Sequence, residues 1–142
     1  MPRRVLLESG RDQFFVVEEP AQSEKSLQDV MRSNPKLIPS EDLGFEGELL
    51  VIGRETVLAS GLVDLLCLTR SGDIVVIEFK TGPKNPDFRH ALAQVMDYGS
   101  DLWQMSVEDF DRAVVQRHLA GPYCDPQFKA ASNLGEAIAL AG

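Results

Sequence analysis

The sequence is poor in cysteine, in basic side chains and in long apolar stretches. No apolar run approaches the ~20 residues that a membrane-spanning helix needs, so no membrane partner is expected. The two cysteines, Cys67 and Cys124, stand far apart without metal-ligand spacing, which argues against a zinc or disulfide framework. Lys and Arg number 14 against 22 Asp and Glu, a formal net charge of −8. Because affinity for phosphate backbones comes from basic side chains, this balance works against simple nucleic-acid binding.

What the chain does contain is typical of one soluble globular domain. It has 142 residues, of which 44% are hydrophobic and 25% charged, enough for a single core and too little for two ordinary domains. The amino-terminal segment offers only Val5-Leu6-Leu7 as an apolar core, which is not a signal peptide. We therefore expect a cytoplasmic protein.

The stretch from Gly61 to Lys80, GLVDLLCLTRSGDIVVIEFK, predicts two apolar β-strands joined by a tight turn. Arg70-Ser71-Gly72 suits a three-residue hairpin loop whose last position favours glycine. Counting back along both strands sets Asp64 opposite Glu78. Because both strands are apolar on both faces, we expect them at the centre of a sheet with helices on either side.

Three charged residues interrupt this apolar hairpin. Strand periodicity sends Glu78 and Lys80 to the face that carries Asp64, while Phe79 points away. Like charges directly opposite each other destabilise a strand pair, and an unpaired buried carboxylate is costlier still. Lys80, a divalent cation, or both must compensate the two carboxylates.

Before the hairpin, the sequence predicts a helix and a strand. Ser23 is a candidate N-cap and Glu24 lies in the first turn, where the helix dipole favours an acid. Asn34-Pro35 ends this helix. A strand follows over residues 49–56, with Gly53 as a candidate bulge, so three consecutive strands are expected to pair antiparallel.

After the hairpin, Asn85 and Pro86 predict the start of a long helix. It is expected to reach Leu102 or Met105, with Trp103 in the core. Gln94 and Tyr98 lie one turn apart on this helix and share a face.

The remaining pattern predicts a short strand over 13–17 and helices over 107–119 and 134–140. The expected fold class is α/β (α+β), a central mixed β-sheet around an antiparallel hairpin with helices on both faces. We expect one domain over 1–142, with a motif-bearing core of about 23–106 and a helical extension over 107–142. The chain ends without a clear C-cap, as expected of a piece excised from a longer protein.

The order of the polar residues resembles that of a known superfamily. Asp64 before a hairpin turn, Glu78-Phe79-Lys80 after it, and Gln94 with Tyr98 on the next helix resemble the PD-(D/E)XK nucleases, which have the restriction-endonuclease-like fold. The segments GLVD…IEFKTG and QVMDY look most like RecB-type and archaeal-type DNA repair nucleases. Val63 stands where the family usually has proline.

The resemblance implies a metal site. Asp64 and Glu78, with the backbone carbonyl of Phe79, would bind Mg²⁺ or Mn²⁺, which prefer hard oxygen ligands. Glu24 matches an acidic residue that assists this metal in many members. Lys80 would hold or help deprotonate the attacking water.

The resemblance also implies contacts with the substrate. Gln94 and Tyr98 match an auxiliary pair that steadies the lysine or the DNA strand. Lys84 and Arg89, near the start of the long helix, are candidate ligands of DNA phosphates.

Structural interpretations stand beside these. Glu78 and Lys80 could form only a salt bridge, Asp64 could bond a nearby backbone group, and Glu24 could be a dipole partner. His90 and His118 lack ligand spacing and are expected at the surface.

Two functions follow from these interpretations. The first is a metal-dependent nuclease that hydrolyses DNA phosphodiester bonds in repair or recombination. The second is a catalytically inactive module of the same fold that binds nucleic acid or protein. The acidic balance favours the second and the intact Asp64, Glu78 and Lys80 the first. A homodimer or partner protein would supply the missing basic surface. An enzyme acting on another anionic substrate has no positive support.

Overall fold

The computed structural model describes residues 2–80 and 88–142. Its strands are β1 (Arg4–Ser9), β2 (Asp12–Val17), β3 (Leu50–Leu58), β4 (Gly61–Leu68) and β5 (Ile74–Ile77). Its α-helices are α1 (Glu24–Ser33), α2 (Phe88–Leu102), α3 (Val107–Phe110), α4 (Gln116–Leu119) and α5 (Leu134–Ala141). A π-helical stretch (Asp111–Val115) joins α3 to α4, and single 3₁₀ turns lie at Pro35–Leu37 and Pro126–Phe128. Within these ranges no helix combines the length and apolar character needed to cross a bilayer.

The main sheet has the strand order β3-β4-β5 with antiparallel pairing throughout. The turn between β4 and β5 has the predicted form: the Thr69 N–H donates to the Asp73 carbonyl at 2.9 Å, and Gly72 has φ +90°. The ladder ends where Leu65 pairs with Ile77. The same register, continued by one residue, sets Asp64 opposite Glu78. The register, the antiparallel hairpin core and the α+β class are confirmed. The sheet was expected to be mixed, but every pair among the described strands is antiparallel.

Helices cover both faces of the sheet, as predicted. On one face Leu66 and Leu68 pack with Tyr98 of α2 and with Phe110 and Val114 of the α3–α4 run. On the other face Cys67 packs with Ile38 and Leu49, and α1 covers this cluster through Met31. The alternation of Leu66 and Cys67 between two cores follows from the two-residue period of a strand.

One prediction about the hairpin is wrong. Both of its strands were expected to be central, but only β4 is flanked on both sides, and β5 is an edge among the described strands. Ile74 is accordingly 41% exposed. An apolar composition on both faces therefore did not distinguish a central strand from an edge strand.

The helix boundaries agree with their capping signals where they are described. Ser23 caps α1 by accepting the Ser26 N–H at 3.0 Å, and Asn34 ends it. Ser106 caps α3 in the same way. The predicted helix over 107–119 is one helical run with the π-helical stretch inside it. The predicted start of α2 at Asn85 and Pro86 lies outside the described residues.

Three expectations about exposure need correction or addition. Trp103 was expected in the core but is 76% exposed, because α2 ends at Leu102 and the chain turns there, with Gln104 at φ +67°. His118, expected at the surface, is half-buried. Strand β1 was not predicted. It pairs with β2 in a separate hairpin whose residues are all exposed, so no burial pattern marks it.

Two glycine substitutions test the turn. Gly72→Ala is expected to lower the free energy of unfolding by about 1–2 kcal/mol, because an L-residue is strained at φ +90°. Gly99→Ala, inside α2 where nothing lies within 4 Å of the new Cβ, is expected to raise it by up to about 1 kcal/mol. Urea denaturation measures both. Equal effects of one sign would contradict the assigned turn.

Candidate functional site

Asp64 lies on β4, beside the position at which β5 ends. The regular ladder ends with the pair of Leu65 and Ile77. Beyond this pair, a side chain replaces the backbone as hydrogen-bond acceptor: Asp64 Oδ2 accepts the N–H of Phe79 at 2.8 Å. A buried backbone donor must find an acceptor, so Asp64 completes the strand end. Its carboxylate is thereby held on the face toward Glu78.

A second contact to Asp64 comes from α1. Gln28, only 6% exposed, donates from Nε2 to Asp64 Oδ1 at 2.6 Å. Glu24 lies one turn earlier on the same helix face, and its charge reaches both Asp64 and Lys80. Gln28 was not singled out from the sequence. Its only sequence signal is the four-residue spacing from Glu24, which places both side chains toward the same site.

The Asp64 carboxyl is destabilised as an anion. Burial raises its pKa above the ordinary value, and the charges of Glu78 and Glu24 raise it further. The Phe79 N–H and the Lys80 ammonium act in the opposite direction without cancelling the rise. Like charges around a partly buried carboxyl therefore make the metal-free site electrostatically strained.

Glu78 and Lys80 form an ion pair just after β5. Lys80 Nζ lies 2.9 Å from Glu78 Oε1, and the side chains of Lys80 and Glu78 are 29% and 7% exposed. The hydrogen bond to Glu78 is the main cause of a raised pKa at Lys80, opposed by burial. Lys80 is therefore an ammonium that donates a hydrogen bond to Glu78.

Tyr98 and Gln94 of α2 lie at the same site. Tyr98 is 3% exposed and donates its hydroxyl to the Leu62 carbonyl at 2.9 Å. Burial raises the Tyr98 pKa, followed by the charge of Glu78, while a hydrogen bond from Gln94 lowers it. The hydrogen bond of the tyrosine hydroxyl thus ties α2 to the start of β4.

The unsatisfied acceptors test whether the site suits a cation. Among the described residues, the buried side-chain oxygens without a hydrogen-bond donor are Gln28 Oε1, Glu78 Oε2 and Gln94 Oε1. Each belongs to a side chain of this site. Buried acceptors without donors are costly, and a hydrated hard cation would satisfy them. The chemistry of these acceptors therefore suits a divalent metal ion, and Glu78 Oε2 is the carboxylate oxygen that is left unpaired.

Other predicted site residues lie differently. Lys84 falls outside the described residues, and Arg89 is exposed in the first turn of α2. No group of three or more His, Cys, Asp or Glu side chains within residues 2–80 and 88–142 is arranged to hold a metal. Glu24 influences the site through its charge, and its predicted part in metal binding stays a prediction.

Neutralising Asp64 should stabilise the metal-free protein. In Asp64→Asn the amide can keep the Phe79 bond, and Gln28 can turn its free Oε1 toward the new N–H group. A raised folded-state pKa means that ionisation costs stability, beginning above the unfolded-state value of about 3.9 and growing through the raised value. The variant's gain in Tm, measured with chelator, should therefore be positive at pH 7 and absent below about pH 3.9.

The exposed acid Asp97 on α2 supplies the control for this experiment. Asp97→Asn should change Tm little at any pH. A gain in Asp64→Asn that is independent of pH would show that ionisation of Asp64 is not its cause.

Most of the chain matches one protein-family model. No curated protein and no solved structure matches it. Residues 23–130 match the model described as the endonuclease NucS C-terminal domain, and this range includes Asp64, Glu78 and Lys80. The finer likeness to RecB-type and archaeal-type repair nucleases stays a prediction. Because the match spans well over half of the chain, the protein belongs to the endonuclease NucS C-terminal domain family, a nuclease-related family of the restriction-endonuclease-like superfamily.

Proposed function

We propose that this domain is a divalent-metal-dependent nuclease that hydrolyses phosphodiester bonds of DNA, in repair or recombination. The observation that carries the proposal is the concentration of unsatisfied buried acceptors on Gln28, Glu78 and Gln94, around a carboxyl whose pKa is raised. Acceptors and like charges together favour a cation at this point. The family's description as an endonuclease supports phosphodiester hydrolysis as the reaction that such a cation would assist.

Asp64 and Glu78 would hold Mg²⁺ or Mn²⁺, together with the backbone carbonyl of Phe79. Bound there, the ion would stabilise the negative charge that develops on phosphate oxygens during hydrolysis. Asp64 is aligned for this by its bonds to Gln28 and Phe79. These contacts hold the carboxylate before any ligand arrives, as an efficient site requires.

Lys80 supplies a positively charged side chain that is partly exposed at the site. Its side chain is 29% exposed, so its ammonium can reach an incoming phosphate oxygen or the attacking water. The raised pKa keeps it protonated, which makes it a donor to negative charge in the transition state. Tyr98 and Gln94 hold α2 behind the site. Arg89, together with Lys84, is proposed to meet flanking phosphates.

An inactive binding module remains the second candidate, favoured by the net charge of −8. An acidic domain binds the phosphate backbone weakly by itself. A homodimer or a partner protein with a basic face would remove this difficulty. The two candidates differ in turnover, since both would bind metal and only the first cleaves DNA.

Metal titration followed by thermal unfolding tests the proposal. Mg²⁺ or Mn²⁺ is expected to raise the Tm of the wild type saturably and to leave that of Asp64→Asn unchanged. Asp97→Asn should respond as the wild type does. No metal-dependent rise would refute the metal site. The same proteins are then incubated with labelled single-stranded, duplex and flapped DNA. Metal binding without cleavage of any substrate would favour the inactive module.

A further inference from the structure

Buried donors without acceptors form a second group of unsatisfied atoms, separate from the acceptors near Asp64. They are Arg32 Nε, Arg54 Nε and Arg54 Nη1. Among the described residues, every unsatisfied buried side-chain nitrogen belongs to these two arginines. The Arg54 side chain is 0% exposed. A fully buried guanidinium with two unused nitrogen donors is costly and calls for an acceptor.

The protein partners of Arg54 do not supply that acceptor. Its Nη2 donates to Asp29 Oδ1 at 2.6 Å, and its Cζ lies 4.0 Å from the centre of the Tyr123 ring. The guanidinium N–H groups point outward within its plane, whereas the ring stacks on its face. Stacking therefore leaves Nε and Nη1 unused. Arg32 reaches the same residue, through a hydrogen bond from Nη1 to the Tyr123 carbonyl at 3.1 Å.

A pocket of about 190 Å³ lies beside Arg54, between β3 and residues 113–123, whereas Arg32 lines a separate, larger cleft. Arg54, Arg117, His118 and Tyr123 line it, and Glu55 is the one acidic residue among its lining residues. Arg117 is exposed and His118 is half-buried. The larger cleft of about 830 Å³ also borders His118 and Tyr123. Neither space is lined by Asp64, Glu78 or Lys80.

The electrostatics of the pocket favour an anion. Burial lowers the pKa of His118 to about 4, with further lowering by the charges of Arg32 and Arg54. His118 thus reports a positive local field inside a chain whose net charge is −8. Asp29 offsets the charge of Arg54 but bonds only one of its nitrogens, and Arg32 and Arg117 add further positive charge nearby. An oxyanion would meet both the charge and the unused donors.

We propose that this pocket binds an oxyanion of the phosphate class, with Arg54 at its base and Arg117 and His118 on its walls. The phosphate oxygens would accept the unused guanidinium donors after a small shift of the pocket wall, since the Arg54 side chain is 0% exposed without ligand. A nucleic-acid backbone and a free phosphate compound present the same chemistry. The site shares no lining residue with the metal site, so it stands independently of the nuclease activity.

Titration of the full chain with inorganic phosphate, followed by NMR of the histidine ring resonances, tests the pocket. Chelator and the Asp64→Asn background remove any contribution of the metal site, and sodium chloride matches the ionic strength. Phosphate is expected to move the His118 resonances saturably and to raise the His118 pKa above its value of about 4. His90, exposed on α2, should stay unmoved. Equal, unsaturated movement of both histidines, or the same response to chloride, would overturn the proposal.

Variants locate the binding. Arg117→Gln alters an exposed side chain and should weaken phosphate binding about tenfold, the effect of losing one charged hydrogen bond. Arg112→Gln is its matched control, because Arg112 is exposed in the same helical run, is paired with Asp109 and does not line the pocket. Arg54→Lys keeps the charge but removes the planar donor array, and should abolish saturable binding. Unchanged affinity in both Arg117→Gln and Arg54→Lys would refute the assignment.

A single-stranded oligonucleotide, added with chelator present, distinguishes the two sources of phosphate. Movement of the His118 resonances by the oligonucleotide, in competition with inorganic phosphate, would assign the pocket to the nucleic-acid backbone. Movement by inorganic phosphate alone would assign it to a free phosphate compound. Failure of both probes, with intact metal titration, would overturn this inference and leave the proposed nuclease function standing.

Discussion

Glu78→Gln is expected to lower the rate of metal-dependent DNA cleavage by at least about a thousandfold. The change removes one of the two proposed metal-binding carboxylates, and the electrostatic contribution of such a metal is worth several kcal/mol, at about 1.4 kcal/mol per tenfold in rate. The amide oxygen of the new side chain can still accept a hydrogen bond from the Lys80 ammonium, so the fold should persist. Single-turnover cleavage of labelled DNA with Mg²⁺ or Mn²⁺ measures the loss.

The control for this variant is Glu48→Gln. Glu48 is 59% exposed by its side chain and pairs with Lys36 at the surface, so its replacement removes the same charge far from any proposed chemistry. Cleavage by Glu48→Gln should match that of the wild type. Wild-type cleavage by Glu78→Gln, with its Tm preserved, would remove Glu78 from the mechanism.

Lys80→Met is expected to destabilise the metal-free protein by about 2–3 kcal/mol. Methionine keeps most of the aliphatic stem and removes the charge together with the hydrogen bond to Glu78. The Glu78 side chain, 7% exposed, is then left without its partner, and its Oε2 is already unsatisfied. Removing one partner of a buried pair costs about 3–5 kcal/mol, and partial exposure of Lys80 reduces the figure here. Urea denaturation with chelator present measures the change. Divalent metal should recover part of the loss, because the cation replaces the missing ammonium.

Lys36→Met provides the matched comparison. Lys36 and Glu48 form an ion pair at 3.2 Å with side chains 77% and 59% exposed, and exposed pairs contribute little to stability. No measurable change is therefore expected in this variant. If Lys80→Met were equally harmless, the Glu78–Lys80 pair would contribute no measurable stability despite its burial. If metal failed to restore any stability, the ion would not be bound at Glu78.

Strand periodicity and turn chemistry alone determined that Asp64 lies opposite Glu78. The loop of three residues ending at Gly72 allows one register, and any slip by one residue would turn every side chain to the opposite face. Local signals also determined the caps of α1 and α3 at Ser23 and Ser106. Such features need no knowledge of distant residues, which is why they were predictable.

Packing between distant segments decided the rest. Gln28 reaches Asp64 across 36 residues, and the Tyr98 hydroxyl reaches Leu62 across another 36. Trp103 is exposed because α2 ends at Leu102, although its apolar ring suggested the core.

The pocket at Arg54 likewise exists only because β3 and residues 113–123 meet in space. A sequence pattern records which face of its own element a residue occupies. It does not record which other element covers that face. The carboxylate pair was therefore predictable from the chain, whereas the tertiary structure decided what surrounds it, because burial and unpaired hydrogen-bonding groups are properties of the assembled core.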